Sequence, residues 1–209
     1  QFVAIIDISS LRKDFEMKFK ESKTYQNLIN SYAGESQARS RYSFYAEVAE
    51  KEGLLHVAAV FLETADNELE HAKVFFDHII AKAGAGMIHV DADYPASVGS
   101  TSENLEAAAA GEHEEFTELY KEAAEVAAEE GFDDIAKSFT EIAEVEERHY
   151  ERYAALFKLV STNSYFKREH KVYWKCRNCG YVHEGEEAPQ TCPACKHARK
   201  YFEIACLEQ

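Results

Sequence analysis

Apolar residues recur at helical spacing in four long segments of the chain. The predicted helices cover residues 24–52, 54–83, 103–130 and 132–161. The apolar stripes of the first two contain Leu28, Tyr32, Tyr42, Ala46 and Ala49, then Val57, Phe61, Ala65, Phe75 and Ile79. Helix-forming residues fill the rest of these segments, and Gly53 and Gly131 end the first and third helices. The pattern therefore predicts two helical hairpins.

A long connection separates the two hairpins. Gly84, Gly86, Pro95 and Gly99 interrupt the helical pattern over about residues 84–102. At about 3.3 Å per residue, such a segment can run the full length of a helical bundle. The sequence therefore predicts an all-α four-helix bundle with one long crossover.

Two Glu-x-x-His motifs lie within the apolar stripes of the second and fourth helices. Glu68 and His71 match Glu146 and His149 at a constant offset of 78 residues, which Gly53 and Gly131 also obey. Residues at i and i+3 share one face of a helix, so each pair can reach one metal ion. The repeat indicates two related hairpins with a metal site between them.

Three further carboxylates lie at a similar depth along the predicted bundle. Glu35, Glu112 and Glu115, like Glu68 and Glu146, lie roughly 22–29 Å along a helix from a turn. Each Glu alone is most simply a surface residue. Five that converge in an apolar interior would repel one another unless cations were bound, and carboxylate and imidazole ligands suit iron, manganese or zinc.

Two tyrosines also obey the offset of 78. Tyr42 follows Glu35 by seven residues and Tyr120 follows Glu112 by eight, so each shares a helix face with its Glu. The simpler explanation for both tyrosines is that they pack in the core. The alternative is that their hydroxyls bond the carboxylates of the metal site.

The C-terminal part of the chain predicts a second, small domain. Cys176-x-x-Cys179 and Cys192-x-x-Cys195 are separated by 12 residues, a spacing typical of a tetrahedral four-cysteine site for zinc or a single iron. Its predicted aromatic core comprises Tyr173, Trp174, Tyr181 and Phe202. Cys206 lies outside both pairs and is expected to be a packed thiol.

Composition and charge narrow the domain organisation and the partners. The predicted segments are an N-terminal extension at 1–22, the bundle at 23–161, a linker at 162–171 and the small domain at 172–209. Met17 is a possible natural start, which would make residues 1–16 foreign to the protein. The net charge of −15 argues against nucleic acid and anionic membranes as partners. No apolar run reaches the roughly 20 residues of a membrane span, and no signal peptide is recognisable.

These motifs together resemble the rubrerythrin family, from about Lys23 to Leu207. The segment Ala33–Arg39, around Glu35, resembles the family's first-helix motif, and Gly111–Glu115 resembles its third. The two cysteine pairs resemble rubredoxin knuckles. The resemblance implies a ferritin-like bundle followed by a rubredoxin-like domain.

The resemblance also implies a function. It implies a cytoplasmic peroxidase of an anaerobe or microaerophile that reduces hydrogen peroxide to water at a di-iron centre. The implied iron ligands are Glu35, Glu68, Glu112, Glu115, Glu146 and His149, with His71 exchanging with Glu112 on one iron. Tyr42 and Tyr120 would bond the ligands, and an iron held by Cys176, Cys179, Cys192 and Cys195 would relay electrons.

The implied partners are an electron donor and further copies of the chain. Electrons would come from NADH or NADPH through a separate reductase or a rubredoxin, because the chain has no glycine-rich nucleotide motif. A homodimer or larger assembly is expected. Residues 162–171 hold no Gly or Pro to reverse the chain, which favours electron transfer between chains over transfer within one.

Two other functions compete with the peroxidase. An iron-handling protein would oxidise Fe(II) at the bundle site, but storage needs no rubredoxin-like electron feed. A structural module would hold zinc at both sites. An oxidised four-cysteine iron is red whereas a zinc protein is colourless, so a visible spectrum separates the zinc protein from the others.

Overall fold

The computed structural model describes residues 18–205, so the predictions for residues 1–16 and Cys206 lie outside the described part of the chain. In the described part of the chain, long helices come first and a small sheet follows, which confirms the predicted fold class. The helices are α1 Lys23–Lys51, α2 Leu55–Ala83, α3 Thr101–Glu114, the π-helix Glu115–Leu119, α4 Tyr120–Glu129 and α5 Asp133–Ser161. Within residues 18–205, no helix has both the length and the apolar character to cross a membrane.

Both hairpin turns are built around a glycine with a left-handed backbone. Gly53 has φ of 78° and Gly131 has φ of 81°. In the first turn, Gly53 N–H bonds the Glu50 carbonyl at 3.1 Å and Leu54 N–H bonds the Ala49 carbonyl at 2.8 Å. These two hydrogen bonds satisfy carbonyl groups at the end of α1. Only a residue without a side chain adopts the required positive φ at little cost. The predicted turns are confirmed.

The third predicted helix is interrupted, which the apolar pattern did not indicate. A π-turn over Glu115–Leu119 separates α3 from α4. A π-turn accommodates one more residue than an α-turn. It therefore absorbs the extra residue between Glu112 and Tyr120 relative to Glu35 and Tyr42, and Glu112 and Tyr120 are both buried.

The described chain divides into two compact units, each with its own core. One unit contains the described part of Gln1–Arg39, with Asp66–Pro95 and His113–Glu147; the other contains Ser40–Ala65, Ala96–Glu112 and the chain from Arg148. The core of the first unit includes Leu28, Ile29, Phe75, Ile79, Ile135 and Phe139. The second unit contains a buried aromatic cluster, Tyr42, Tyr45, Phe61 and Tyr153.

The crossover connection lies between α2 and α3 and has no regular secondary structure. Side chains of α1 hold its first half. Asn30 Nδ2 donates to the Asp91 carbonyl at 2.9 Å, and Tyr94 donates its hydroxyl proton to the Asn30 carbonyl at 2.6 Å. These bonds fix the path of a long segment that would otherwise be costly to order.

The small domain is a three-stranded antiparallel sheet in the order β2-β1-β3. Its strands are β1 Lys167–Cys176, β2 Val182–Glu187 and β3 Phe202–Ile204. Trp174 and Phe202 are fully buried, as predicted, and Tyr181 packs against them. Tyr173 is 44% exposed, so its assignment to the aromatic core is wrong. Neighbouring residues of a strand point to opposite faces, and Trp174 takes the buried face.

The chain reverses directly after α5, contrary to the expectation from the absence of Gly and Pro. Asn163 adopts φ of 53°, and its N–H and that of Ser164 bond the carbonyls of Val160 and Leu159. Asn tolerates this left-handed conformation better than other residues with a side chain. Strand β1 then begins at Lys167, within the predicted linker.

After this reversal the small domain contacts the beginning of α2 of its own chain. Arg177 Nη1 lies 3.3 Å from His56 Nδ1, and His56 Nδ1 lies 3.1 Å from Glu203 Oε2. A fold-back within one chain is therefore sterically feasible, so the absence of Gly and Pro no longer argues for transfer between chains.

Asn163 should tolerate only residues compatible with its backbone. We expect Asn163→Gly to leave the thermal midpoint of the full chain nearly unchanged and Asn163→Val to lower stability by about 1–2 kcal/mol, because a β-branched residue resists a positive φ. Thermal unfolding followed by circular dichroism measures both. Equal midpoints for the Gly and Val variants would contradict this role of Asn163.

Candidate metal centres

The first group of potential ligands lies around His71. It combines Glu35 from α1, Glu68 and His71 from α2, and Glu146 from α5, and all four are buried with ligand atoms within 4.8 Å of one another. His71 Nδ1 lies 2.8 Å from Glu146 Oε1 and 3.0 Å from Glu68 Oε2. The Glu-x-x-His motif of α2 therefore meets carboxylates from two other helices, as its position in the apolar stripe predicted.

A second group shares two carboxylates with the first. It comprises Glu68, Glu112, Glu146 and His149, all buried and again within 4.8 Å of one another. His149 Nδ1 lies 3.6 Å from Glu112 Oε2. Of the seven predicted ligands in the bundle, six thus belong to these two groups.

Glu115 is the predicted ligand that belongs to neither group. It is the first residue of the π-helix and is half-buried. It lies close enough to raise the pKa values of both Glu35 and Tyr120 by charge repulsion. Its assignment as a ligand stays a prediction.

The two predicted tyrosines bond carboxylates, but each bonds the one from the other hairpin. Tyr42 of α1 donates its hydroxyl proton to Glu112 of α3, and Tyr120 of α4 donates to Glu35 of α1. Both tyrosines are almost completely buried. The expectation of a hydroxyl bonded to a carboxylate of the site is therefore met, whereas the partners are exchanged relative to the helix-face argument. Sequence periodicity within one helix could not reveal this exchange.

Burial and like charge make the carboxylate group costly to ionise. The pKa of Glu35 is raised well above its ordinary value, first by burial and then by the charges of Glu68, Glu146 and Glu115. Burial alone would lower the pKa of His71, but hydrogen bonds and charges from Glu146 and Glu68 outweigh it and raise the pKa to about 9. The protein thus holds protons where cations would sit.

The donor set fits metal ions. Within the described residues, Glu35 Oε2 is buried and has no hydrogen-bond partner, although a buried carboxylate oxygen is expected to have one. A cation would satisfy that oxygen and remove the repulsion among the carboxylates. Oxygen and imidazole donors suit iron, manganese and zinc.

The four predicted cysteines form one cluster in the small domain. The sulfur atoms of Cys176, Cys179, Cys192 and Cys195 all lie within 4.8 Å of one another, and none forms a disulfide. The residue after each pair, Gly180 and Lys196, has a positive φ. Both knuckles therefore turn in the same way, and the set has the donors of a tetrahedral sulfur site.

The second knuckle uses a residue that sequence reasoning missed. Lys196 takes the left-handed position that Gly180 takes in the first knuckle, and its ammonium donates to the Pro193 carbonyl at 2.7 Å. The N–H of the next residue, His197, lowers the pKa of the Cys195 thiol to about 6 despite opposing burial. A thiol with a lowered pKa is ready to bind metal as a thiolate.

Comparison with known proteins places both parts of the chain. The family model described as "Rubrerythrin" matches residues 26–157, and "Rubrerythrin, rubredoxin-like domain" matches residues 174–203. The rubrerythrin of Porphyromonas gingivalis is 52% identical over 93% of this chain and 96% of its own.

Solved structures agree on the fold. A mixed-valence state of nigerythrin is 27% identical, with a TM-score of 0.61 over 88% of this chain and 90% of its own. The bacterioferritin of Desulfovibrio desulfuricans, at 21% identity and a TM-score of 0.63, covers 73% of this chain and 85% of its own. The latter likeness shows the fold alone, and it confirms the ferritin-like architecture.

The metal-free protein should lose stability as the pH rises. Because the folded pKa of Glu35 lies above its ordinary value of 4.5, the stability present below pH 4.5 is lost as the pH rises further. His71 acts in the same direction between its ordinary 6.5 and about 9. We expect the melting temperature of the metal-free chain to decrease as the pH is raised from 5 to 9.

Replacing one carboxylate should weaken this dependence. Glu35→Gln removes a buried charge and should flatten the fall in the thermal midpoint, whereas Glu50→Gln, at an exposed site on the same helix, should leave it unchanged. Calorimetry of chelator-treated protein provides the measurement. A midpoint that rises from pH 5 to 9 would contradict the assignment.

Proposed function

The chain belongs to the rubrerythrin family, and we propose that it is a peroxidase that reduces hydrogen peroxide to water. Its two clusters fit the family's iron cofactors, a di-iron centre in the bundle and one iron at the four cysteines. The observation that carries the proposal is their presence in one chain: a buried carboxylate and imidazole site that can hold two ions, and a sulfur site suited to one-electron relay.

The bundle residues would divide into ligands and residues that orient them. We assign Glu35, Glu68, Glu112, Glu115, Glu146 and His149 as iron ligands. The exchange of His71 with Glu112 on one iron stays a prediction, and the geometry does not favour it, since His71 belongs to the first group and Glu112 to the second. The shared carboxylates Glu68 and Glu146 suit a pair of ions. Two ferrous ions would supply the two electrons that cleavage of the O–O bond consumes.

The protein's own groups would orient the metal ligands. Reduction of one peroxide to two waters takes up two electrons and two protons. The hydroxyls of Tyr42 and Tyr120 hold the carboxylates of Glu112 and Glu35 in place. In the metal-free site His71 carries a proton near neutral pH, because Glu146 and Glu68 raise its pKa to about 9, and a bound cation would displace that proton.

The small domain would receive electrons from outside. Cys179 is exposed, while Cys176 and Cys192 are buried, so one edge of the sulfur site is accessible to a donor protein. We propose a reductase that uses NADH or NADPH, or a rubredoxin, as that donor. Such a feed also weighs against iron storage, which does not need it.

Relay and chemistry should be separable. We expect Cys179→Ser to abolish peroxide turnover supported by the reductase but to preserve one oxidation of a pre-reduced bundle site by peroxide, because the two sites lie in different domains. Stopped-flow absorbance measures the single oxidation in the variant. For the wild-type chain, we expect elemental analysis to give three iron ions per chain. A folded variant that has lost the single oxidation, or one iron per wild-type chain, would contradict the proposal.

Electrons would pass between the chains of a homodimer or larger assembly. His56, which contacts the small domain, precedes Glu68 by twelve residues, or roughly 18 Å along α2. A route within one chain is therefore long, and a neighbouring chain offers a second approach.

Mixing two inactive variants tests the cross-chain route. One variant carries Cys179→Ser and the other Glu68→Ala; after subunit exchange, some mixed dimers pair an intact relay with an intact bundle site on the other chain. We expect peroxide turnover to recover to about a quarter of the wild-type rate or less, because only such pairs are active. If mass spectrometry confirms exchange and turnover does not recover, each chain serves itself.

A further inference from the structure

A cavity of about 350 Å³ lies within the second unit, where the small domain meets the helices. Leu156 and Leu159 of α5 line one part of it, and Trp174 and Ile204 of the sheet line another. Its volume is at the small end of the usual range for ligand pockets, about 300–1,000 Å³. Leu156 lies seven residues after the proposed ligand His149, or roughly 10 Å along α5, and no step of the proposed reaction uses the cavity.

Arg168 lines this cavity and is half-buried, and protein atoms of the described chain accept hydrogen bonds from only one of its three nitrogens. Its Nη1 donates to the carbonyls of Ser164 at 2.8 Å and Tyr165 at 3.3 Å, and to that of Lys167. Among residues 18–205, Nε and Nη2 have no hydrogen-bond acceptor, and no carboxylate pairs with the guanidinium. The guanidinium also lies over the Trp174 ring, 5.4 Å from its centroid. The N–H groups of Nε and Nη2 therefore remain as two parallel donors without an acceptor in the described chain. A carboxylate, with two parallel oxygen acceptors, fits this pair best.

Tyr165 adds a second polar group to the same lining. Its side chain is only 8% exposed, and within the described chain its hydroxyl has no hydrogen-bond partner. Burial raises the pKa of Tyr165, so the hydroxyl keeps its proton and can donate it. Buried hydroxyls in proteins ordinarily find a partner, so this one indicates a missing acceptor.

The remaining charges leave the cavity positive although the chain as a whole is strongly negative. Glu203 is the acidic residue of the lining, and Arg177 Nη1 and His56 Nδ1 already lie against it. Lys175 lies 3.8 Å from the same carboxylate, so Arg168 remains the uncompensated charge. A ligand that suits this lining carries one negative charge on an apolar body.

We propose that this cavity binds a small monocarboxylate with an apolar body. The carboxylate accepts hydrogen bonds from Arg168 and from the Tyr165 hydroxyl, and the body packs against Leu156, Leu159 and Ile204. Such a ligand contacts both the last bundle helix and the sheet, so its binding also stabilises the packing of the small domain on the helices.

Titration calorimetry with benzoate on the iron-loaded full chain tests the site. We expect saturable binding, at least about tenfold tighter than that of benzyl alcohol, which has the same ring without the charge. Arg168→Gln should weaken benzoate binding by about tenfold or more, and Tyr165→Phe by about fivefold. Lys167→Gln is the matched control: it removes a cation of the same strand that pairs with Glu187 and does not line the cavity, so affinity should change less than about twofold.

Several results would overturn the proposal. These are equal binding of benzoate and benzyl alcohol, unchanged affinity in both cavity variants, or no saturable binding up to about 20 mM benzoate. The visible absorption of the four-cysteine iron reports whether the small domain is folded. If Arg168→Gln loses that absorption, the small domain of this variant is not folded. The benzoate affinity of Tyr165→Phe then decides whether the site exists, since this substitution removes one oxygen atom and keeps the ring.

Discussion

Four buried glutamate side chains lie close together among the helices, and this placement constrains the rest of the structure. They are Glu35, Glu68, Glu112 and Glu146. Carboxylates at such distances cannot all ionise without cations, so the bundle must bind metal or hold protons. The raised pKa values of Glu35 and His71 correspond to the metal-free protein, in which these side chains hold protons. The same cost makes the site receptive to iron, because an ion removes both the repulsion and the need for protons.

The internal repeat explains how such a site can be assembled from one chain. Two similar hairpins each bring a Glu-x-x-His motif and a tyrosine, and the tyrosines then bond the carboxylates of the opposite hairpin. Reciprocal bonding fixes α1 and α3–α4 relative to each other at the level of the metal ligands. The π-turn at Glu115–Leu119 adjusts the second copy for its additional residue, and it begins with the one predicted ligand that has no counterpart in the first hairpin.

The small domain depends on its own metal in a different way. Its core is little more than Trp174, Phe202 and the buried cysteines, so the four thiolates supply a large part of its stability once metal is bound. Its sheet contacts the helices through His56, Arg177 and Glu203, and the cavity lined by Arg168 and Tyr165 lies at the same contact. The proposed electron relay and the proposed cavity ligand are compatible in this position, because they use different residues.

The sequence alone predicted the helices, the glycine turns, the six bundle residues that cluster and the four-cysteine site, because periodicity and residue spacing are local properties of the chain. It did not reveal the exchange of tyrosine partners, the π-turn or the exposure of Tyr173. It also misjudged the reversal after α5, where Asn163 takes the conformation usually left to glycine. These features were decided by tertiary structure, since hydrogen bonds between distant helices and packing against a neighbouring element select among backbone conformations that the local sequence permits almost equally.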